Sequence, residues 1–515
     1  MEEIEIIKND MTSFGENDTP KDRVSRKDIF ISLNRNEDGD AELFRMIHEG
    51  QLIYDHSAGH WYCWNGQHWE EDLIDQAVRN VEKIVDLYSE EADRQAEERI
   101  NAERSGNKDK ASLCRQAEND LLRRIRSLQG RLRKMNVIFL SVCGDRSLGI
   151  TGQEWDKHPM LLGVANGVLE LTTGGLRNGK REDYIKTFAP TEWRGIDEAA
   201  PVWEKTLNQI FDNEDGNNED IVGFVQRLFG YCLTGSVVEH IIPIFYGKGR
   251  NGKGTLFETF FYVLGKNLVG QVESELLLQQ KFMRPSGSPT SDIMNLQGKR
   301  FVWASETEEG RKINAGKLKW LSGGDTLTGR HPHGRRQVSF YPTHKLILLT
   351  NHLPHADSND YALWHRIFLV PFKISFIDDP MEDFEKKADP DILNKLKNEG
   401  PGILAWLVRG CLEWQRQGLN PPGKVKAATL DYKEEEDLVK KFITEKCTLC
   451  VGSTVRAGEL YRVYNGWCLA NALKPLSGTS FGKMAKERFD SYRDGKGVYY
   501  LGVTIQEPPQ EPEDT

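Results

Sequence analysis

The run Ile241-Ile242-Pro243-Ile244-Phe245-Tyr246 empties into Gly247-Lys248-Gly249-Arg250-Asn251-Gly252-Lys253-Gly254-Thr255, and this junction limits the fold more than any other segment. An apolar run followed by a glycine-rich turn reads as a buried strand ending in a tight loop. Glycines at 247, 249, 252 and 254 let consecutive backbone N–H groups curl round a polyphosphate that a Cβ would hold at a distance. The next segment, Thr255 to Leu264, stays largely apolar until Gly265. It reads as a helix whose positive N-terminus faces the phosphates. Lys253 then meets the β and γ phosphates. The residue after the lysine is Gly254, so the hydroxyl that helps hold Mg²⁺ arrives one position late, as Thr255. The competing reading is an ordinary glycine-rich strand-to-helix turn.

With 515 residues the chain exceeds a single core and suits about three domains. No stretch reaches the length of a bilayer span, and the acidic start Met1-Glu2-Glu3-Ile4-Glu5 has the wrong charge for a secretory signal. The expectation is a cytoplasmic protein without a membrane partner. The 8 cysteines are scattered, and the lone Cys447-Thr448-Leu449-Cys450 lacks the further ligands a structural zinc needs. A net charge of −10 is unpromising for a nucleic-acid protein, but binding depends on where cations gather, and much of the acid lies at the two ends.

Residues 1–40 have few apolar positions and are expected to form a disordered tail. From Leu52 onward, Ile53, Tyr54 and the stretch His60 to Trp69 read as an aromatic hairpin turning at Asn65-Gly66. Such aromatics serve a core more often than they stack bases. Residues 73–135 turn helical, with a break at Ser105-Gly106-Asn107, and end in Arg123, Arg124, Arg126, Arg131, Arg133 and Lys134 without an intervening acid. That run either touches phosphates or forms a solvated face. Residues 41–150 therefore read as the hairpin plus a helical collar or oligomerisation region. Residues 151–235 read as a domain of short strands followed by a helical stretch from about Ala200 to Cys232. The segment 236–420 alternates strands and helices as a parallel α/β sheet does. Asn420-Pro421-Pro422-Gly423 marks a linker into a small domain at 430–505, and 506–515 is an acidic disordered tail.

Three features follow the glycine loop. Arg300-Phe301-Val302-Trp303-Ala304-Ser305-Glu306 is an apolar strand ending in a carboxylate, with Glu308 behind it; a carboxylate there holds a metal and polarises the attacking water. Lys345-Leu346-Ile347-Leu348-Leu349-Thr350-Asn351 is a buried strand ending in an amide that can orient that water and sense the γ-phosphate. Trp364-His365-Arg366-Ile367-Phe368 carries an arginine able to stabilise charge on the phosphate held by a neighbouring subunit. Each has a plain alternative as surface acid, turn residue or salt bridge.

The order GxGxNGKGT, strand-Glu, strand-Asn-x-x-Pro and Trp-x-Arg resembles the superfamily 3 helicases of the AAA+ class, within them the phage, plasmid and poxvirus primase-helicase branch. His158-Pro159 and Asn166-Gly167 resemble the domain preceding the ATPase in that branch. Leu460-Tyr461-x-x-Tyr464-x-x-Trp467 with Ser480-Phe481-Gly482 resembles its C-terminal winged-helix module. The fold so implied is α/β: an AAA+ P-loop ATPase core, a helical and mixed N-terminal region and a C-terminal winged-helix domain. The resemblance also implies a DNA-gripping hairpin, which falls on Asp325 to Phe340 with Arg330, His331, His333, Arg335 and Arg336 at its tip.

What the resemblance implies is an ATP- and Mg²⁺-dependent replicative helicase of a phage, plasmid or other mobile element. It would be a homo-hexamer that encircles single-stranded DNA at a fork and moves 3′ to 5′. Gly247, Gly249, Asn251, Gly252, Lys253, Gly254 and Thr255 would bind ATP. Thr255 and Glu306 would serve the metal, and Lys253, Glu306, Asn351 and Arg366 would carry catalysis. Residues 1–150 show no acidic pair on a strand and no zinc-ligand set, so a primase or polymerase would be a separate chain. The rivals are an origin-binding, helicase-loading ATPase and, more remotely, a small-molecule kinase.

Overall fold

A computed structural model of the chain describes residues 24–144, 146–212, 218–280, 290–305, 309–330, 337–471 and 473–506. The chain divides into two compact units, Met1–Glu170 with Gly175–Phe188, and Leu171–Gly174 with Ala189–Thr515. No helix among the described residues is long and apolar enough to cross a membrane.

In the first unit, order begins earlier than composition suggests. Ser25 caps Arg26–Asn34 (α1) in a capping box: Ser25 Oγ accepts from the Asp28 N–H at 3.3 Å while the Ser25 N–H donates to the Asp28 carboxylate at 3.0 Å. Asn36–His48 (α2) follows, and Ile29, Leu43, Phe44 and Ile47 are buried. Residues 26–40, expected to be a tail, are thus part of a core; a few apolar side chains at helical spacing were enough. Residues 1–23 of that expected tail, and 507–515 of the acidic one, lie outside the described residues.

Leu52–Asp55 (β1), His60–Trp64 (β2) and Trp69–Glu71 (β3) form an antiparallel meander. The β2–β3 turn falls at Asn65-Gly66 as the sequence predicts: Asn65 Oδ1 accepts from the N–H groups of Gln67 and His68, both at 2.9 Å. Tyr62, Trp69 and Trp155 share one buried cluster, which gives these aromatics their core role. After Gln76–Arg79 (α3), Glu82–Arg104 (α4) and Lys108–Leu128 (α5) pack as a helical hairpin. The break comes at Ser105-Gly106-Asn107, where Asn107 Oδ1 caps α5 through the Lys110 N–H at 3.0 Å. Arg131–Ser141 (α6) and Gly149–Ile150 (β4, parallel to β1) complete this part.

The basic run of α5 and α6 is largely committed to the fold. Arg124 Nη1 reaches the buried carboxylate of Asp40 at 2.7 Å, Arg133 Nε reaches it at 2.8 Å, and the Tyr88 hydroxyl donates to it at 2.8 Å. Arg123 pairs with Asp120 and Lys134 with Glu82. Arg126 and Arg131 stay exposed. Leu161–Val164 (β5), Gly167–Glu170 (β6) and Gly175–Arg177 (β7) make a second meander, and Phe188–Ala189 (β8) marks the sequence boundary between the units.

The second unit opens with Pro201–Ile210 (α7) and Glu219–Cys232 (α8) and is centred on a parallel sheet. Its elements are Ile242–Tyr246 (β9), Lys253–Leu268 (α9), Val269–Val272 (β10), Ser291–Met294 (α10), Phe301–Ser305 (β11), Ala315–Ser322 (α11), Leu327–Gly329 (β12), Val338–Phe340 (β13), Lys345–Thr350 (β14), Tyr361–Trp364 (α12) and Ile367–Pro371 (β15). The five-stranded order is β10-β11-β14-β9-β15, with every pairing parallel. Both faces are covered, which is why these strands read as unbroken apolar runs. On one face Ile242, Ile244, Val302, Leu346, Leu348 and Leu369 join a single buried cluster. On the other, Phe245 and Phe301 meet Phe229 of α8 and Phe257 and Phe260 of α9, with ring centroids 4.2–6.4 Å apart.

That aromatic layer divides the segment 151–235, expected to be one domain: residues 151–170 and 175–188 group with the first unit, whereas α8 packs on the sheet. The chain leaves β9 for the edge strand β10, returns through β11 to β14, then crosses to β15. The direction of strand addition therefore reverses beside β9, and the crevice outside the carboxyl ends of β9 and β14 is the place where such sheets take ligands.

Ser375–Ile377 (β16), Glu385–Lys387 (β17), Ile392–Asn398 (α13) and Gly400–Gln417 (α14) follow. The Asn420-Pro421-Pro422-Gly423 stretch, read as a linker, instead leads straight into Gly423–Glu435 (α15), which covers β15. Thr429 Oγ1 accepts from the Leu369 N–H at 2.9 Å, and the buried Tyr432 lies 5.0 Å from the Trp364 ring and donates to the Pro354 carbonyl. The sheet's shell thus runs past residue 420. Leu438–Lys446 (α16), Cys447–Arg456 (β18), Ala457–Ala470 (α17), Gly478–Arg488 (α18), Ser491–Asp494 (β19) and Gly497–Ile505 (β20) close the chain. Their antiparallel sheet has the order β18-β20-β19 over a core that includes Phe442, Leu460, Tyr464, Trp467, Phe481 and Tyr500.

Candidate functional site

The loop between β9 and α9 is held from both sides. The Gly247 N–H donates to Thr350 O at the end of β14 at 3.2 Å, and a Cβ on Gly247 would stand 2.2 Å from the Phe372 carbonyl oxygen. Gly252 adopts φ +85°, the left-handed region, directly before the helix, and a Cβ there would meet Ile210 at 2.8 Å. Gly249 and Gly254 differ: a Cβ on either would find no atom of the described residues within 4 Å. Those two glycines face open space. The loop borders a cleft of about 440 Å³ lined by Gly249, Arg250, Asn251, Lys253 and Gly254 together with residues of α9, β10, β11 and β14.

Lys253, the first residue of α9, is buried, and its Nζ donates to Gly247 O at 2.5 Å and to Asn351 Oδ1 at 3.1 Å. Burial brings its ammonium down to about 8. The side chain therefore bridges the loop to the end of β14, the strand paired with β9 through Leu348↔Ile244 and Thr350↔Tyr246. Asn251 is also buried; its Oδ1 accepts from the Lys253 N–H at 3.4 Å, and its Nδ2 has no hydrogen-bond partner among the described residues. A buried donor without an acceptor among the described residues, inside a loop of this shape, is chemically suited to an anion.

The remaining expected residues fall in different places. Thr255 sits half-buried in the first turn of α9 and does not line the cleft. Glu306 follows the end of β11 and, like Glu308, lies outside the described residues. No cluster of three or more His, Cys, Asp or Glu side chains suited to a metal occurs among the described residues. Arg366 stands at the opposite end of the sheet: its carbonyl accepts from the Ile242 N–H at 2.7 Å, at the start of the strand whose far end carries the loop. Its Nη1 donates to Ala362 O at 2.8 Å, and its buried Nε has no hydrogen-bond partner among the described residues. It does not enter the cleft of its own chain.

The expected hairpin is present at its base. β12 and β13 pair antiparallel through Leu327↔Phe340, Thr328↔Ser339 and Gly329↔Val338. Arg330 begins the connection, its N–H donating to Thr290 Oγ1 at 2.8 Å. His331, His333, Arg335 and Arg336 lie outside the described residues.

Sequence reasoning missed Arg250, Glu258, Gln271, Trp303 and Ser305 as cleft-lining residues. Gln271 Nε2 donates to Ser305 Oγ at 2.6 Å across the ends of β10 and β11. The only sequence signal for this pair was a polar residue at the end of an apolar strand, which is too common to single out.

Two family models match. The family described as D5 N terminal like covers residues 41–212, and a family of unknown function (DUF5906) covers residues 245–366. The chain is 28% identical over 412 residues to "Putative helicase L207/L206" of Acanthamoeba polyphaga mimivirus, spanning 77% of this chain and 42% of that protein. It is 25% identical over 390 residues to "Putative helicase 022R" of Frog virus 3, spanning 62% of this chain and 40% of that one. It is 24% identical over 333 residues to "Putative primase C962R" of African swine fever virus, spanning 62% and 34%. The match thus takes in less than half the length of these relatives. A solved structure, "The A form apo structure of NrS-1 C terminal region-CTR", overlaps 76% of this chain and 74% of its own at 12% identity and a TM-score of 0.43, too distant to carry an argument. The family match and the viral relatives support the superfamily 3 primase-helicase family that the sequence pattern resembles.

Proposed function

We propose, on the premise of that family, that the chain is an ATP-dependent replicative DNA helicase working as a ring on single-stranded DNA. The observation that carries the reading is the bridge from Lys253 to Gly247 and Asn351 at the carboxyl edge of the sheet. One cation is shared between the loop that would hold the phosphates and the amide that would sense the γ-phosphate. The parallel order with β9 between β14 and β15 supports an AAA+ core. The helix, strand, two helices and hairpin of residues 438–505 support a winged-helix module.

The residues present fit a nucleotide triphosphate. Gly249 and Gly254 leave room where the phosphates would lie, Asn251 Nδ2 lacks an acceptor among the described residues, and Lys253 brings a positive charge. When bound, Mg²⁺ would neutralise phosphate charge; Glu306 and Thr255 are its proposed holders, Thr255 less directly because it is off the cleft wall. Lys253 would leave Gly247 O for the β and γ oxygens, and Asn351 would orient the attacking water. Arg366, remote from its own cleft, would serve a neighbouring subunit. The β12–β13 hairpin, with Arg330, His331, His333, Arg335 and Arg336, would follow each turnover on DNA. A 3′ to 5′ direction, a hexamer, a separate primase or polymerase and a host-cell cytoplasmic setting belong to the same proposal.

The test is DNA-stimulated ATP hydrolysis. Lys253→Ala abolishes it, and so does Arg366→Ala, but mixing the two variants restores part of it because some interfaces then pair an intact lysine with an intact arginine. Undiminished hydrolysis by Lys253→Ala would overturn the site.

A further inference from the structure

The cleft wall also carries a polar pair that no motif predicts. Gln271 is paired in register with Trp303, and its side chain reaches diagonally to the residue two further along, donating from Nε2 to Ser305 Oγ at 2.6 Å. Both side chains line the cleft with Lys253 and Asn351. Gln271 is open to the cleft, so the hydrogen bond is not required to satisfy a buried group. Its polarity has a chemical consequence. A serine hydroxyl has one proton and two lone pairs; when an amide N–H occupies a lone pair, the proton remains available to another acceptor. The hydroxyl is then fixed at the end of β11 as a donor toward whatever occupies the cleft.

We propose that Gln271 is a positioning residue for phosphoryl transfer: it orients the Ser305 hydroxyl so that its proton is offered into the cleft, to a phosphate oxygen or the attacking water. This rests on the reading of the cleft as an ATP-hydrolysing site. No covalent step involves either residue. The alternative is a pin that only ties the ends of two strands.

Reversing the polarity of the bond separates the two. In Gln271→Glu the carboxylate can only accept, so the serine donates to it; the pin survives but the proton is withdrawn from the cleft. Gln271→Met keeps the volume and removes the bond, and Ser305→Ala removes the hydroxyl. With the full chain, DNA-stimulated ATP turnover is measured across ATP concentration, with nucleotide affinity and thermal unfolding alongside. All three variants are expected to lose about tenfold in kcat, with KM and nucleotide affinity within about twofold of wild type. Gln271→Met combined with Ser305→Ala is expected to be no worse than Ser305→Ala alone. Wild-type kcat in Gln271→Glu, or losses that multiply in the double variant, would overturn the proposal. If Lys253→Ala also hydrolyses ATP normally, the reading of the cleft itself fails; if Lys253→Ala is dead and the Gln271 variants are active, only this inference does.

Discussion

Lys253 and Asn351, 98 positions apart in sequence, meet at 3.1 Å where the glycine loop approaches the end of β14. Among the described residues the ammonium donates to Asn351 Oδ1 and to Gly247 O. On the proposed reading a phosphate entering the loop would compete for it, and nucleotide occupancy would reach Asn351 through a single side chain.

The lowered Lys253 ammonium sets a pH dependence. Phosphates favour its charged form, so binding is strongest where the free lysine is already protonated. Nucleotide affinity is expected to be insensitive to this group below pH 8 and to weaken above it, by up to about tenfold per pH unit. Titrations between pH 6.5 and 9.5 check the slope, and Lys253→Arg, which stays charged, should lack it.

The four glycines of the loop should separate by substitution. Gly254→Ala meets open space and is expected to fold as wild type yet bind nucleotide more weakly, because the methyl group enters the cradle. Gly252→Ala places a side chain at φ +85° against Ile210 and should lower the unfolding midpoint even without nucleotide. Thermal unfolding with and without ATP distinguishes the two.

Asp40 organises the first unit. Asp40→Ala leaves the Arg124 and Arg133 guanidinium groups without their shared carboxylate and should cost about 3 kcal/mol or more. Arg124→Ala and Arg133→Ala should likewise lower stability, whereas Arg126→Ala and Arg131→Ala, on exposed positions, should leave it unchanged. Urea unfolding of the five variants is the measurement.

Lys345 begins β14, the strand that leads to Asn351, and is buried, its ammonium donating to the carbonyls of Thr234, Ser236 (3.2 Å) and Thr343 (3.3 Å). Burial pushes it down to about 7 from an ordinary value of 10.5. Between those values the unfolded chain binds more protons than the folded one, so this group makes stability rise with pH from about 7 toward 10. A urea midpoint compared at pH 7 and pH 9.5 should show that gain in wild type and lose it in Lys345→Met.

The parts of the site legible in sequence are those whose chemistry demands neighbours in the chain. A loop that wraps an anion needs its glycines and lysine within a few residues, so 247–255 announced itself. Strand-end residues such as Asn351 were visible because a two-sided sheet leaves an apolar run before them. Contacts set by strand register were not visible: Gln271 and Ser305 are 34 positions apart, and nothing local marks either. The same holds for Asp40, 84 and 93 positions from its arginines, which made the basic run of α5 and α6 look more available than it is. Residues 26–40 look like a tail in sequence because the few apolar side chains they contribute are completed by distant helices.

The most direct measurement of the central claim is displacement of a labelled strand from a forked DNA duplex by the full chain with ATP and Mg²⁺. The account predicts strand release that requires ATP hydrolysis and is absent in Lys253→Ala. Wild-type protein that hydrolyses ATP in the presence of DNA yet leaves the fork intact would contradict it and favour a loading ATPase in its place.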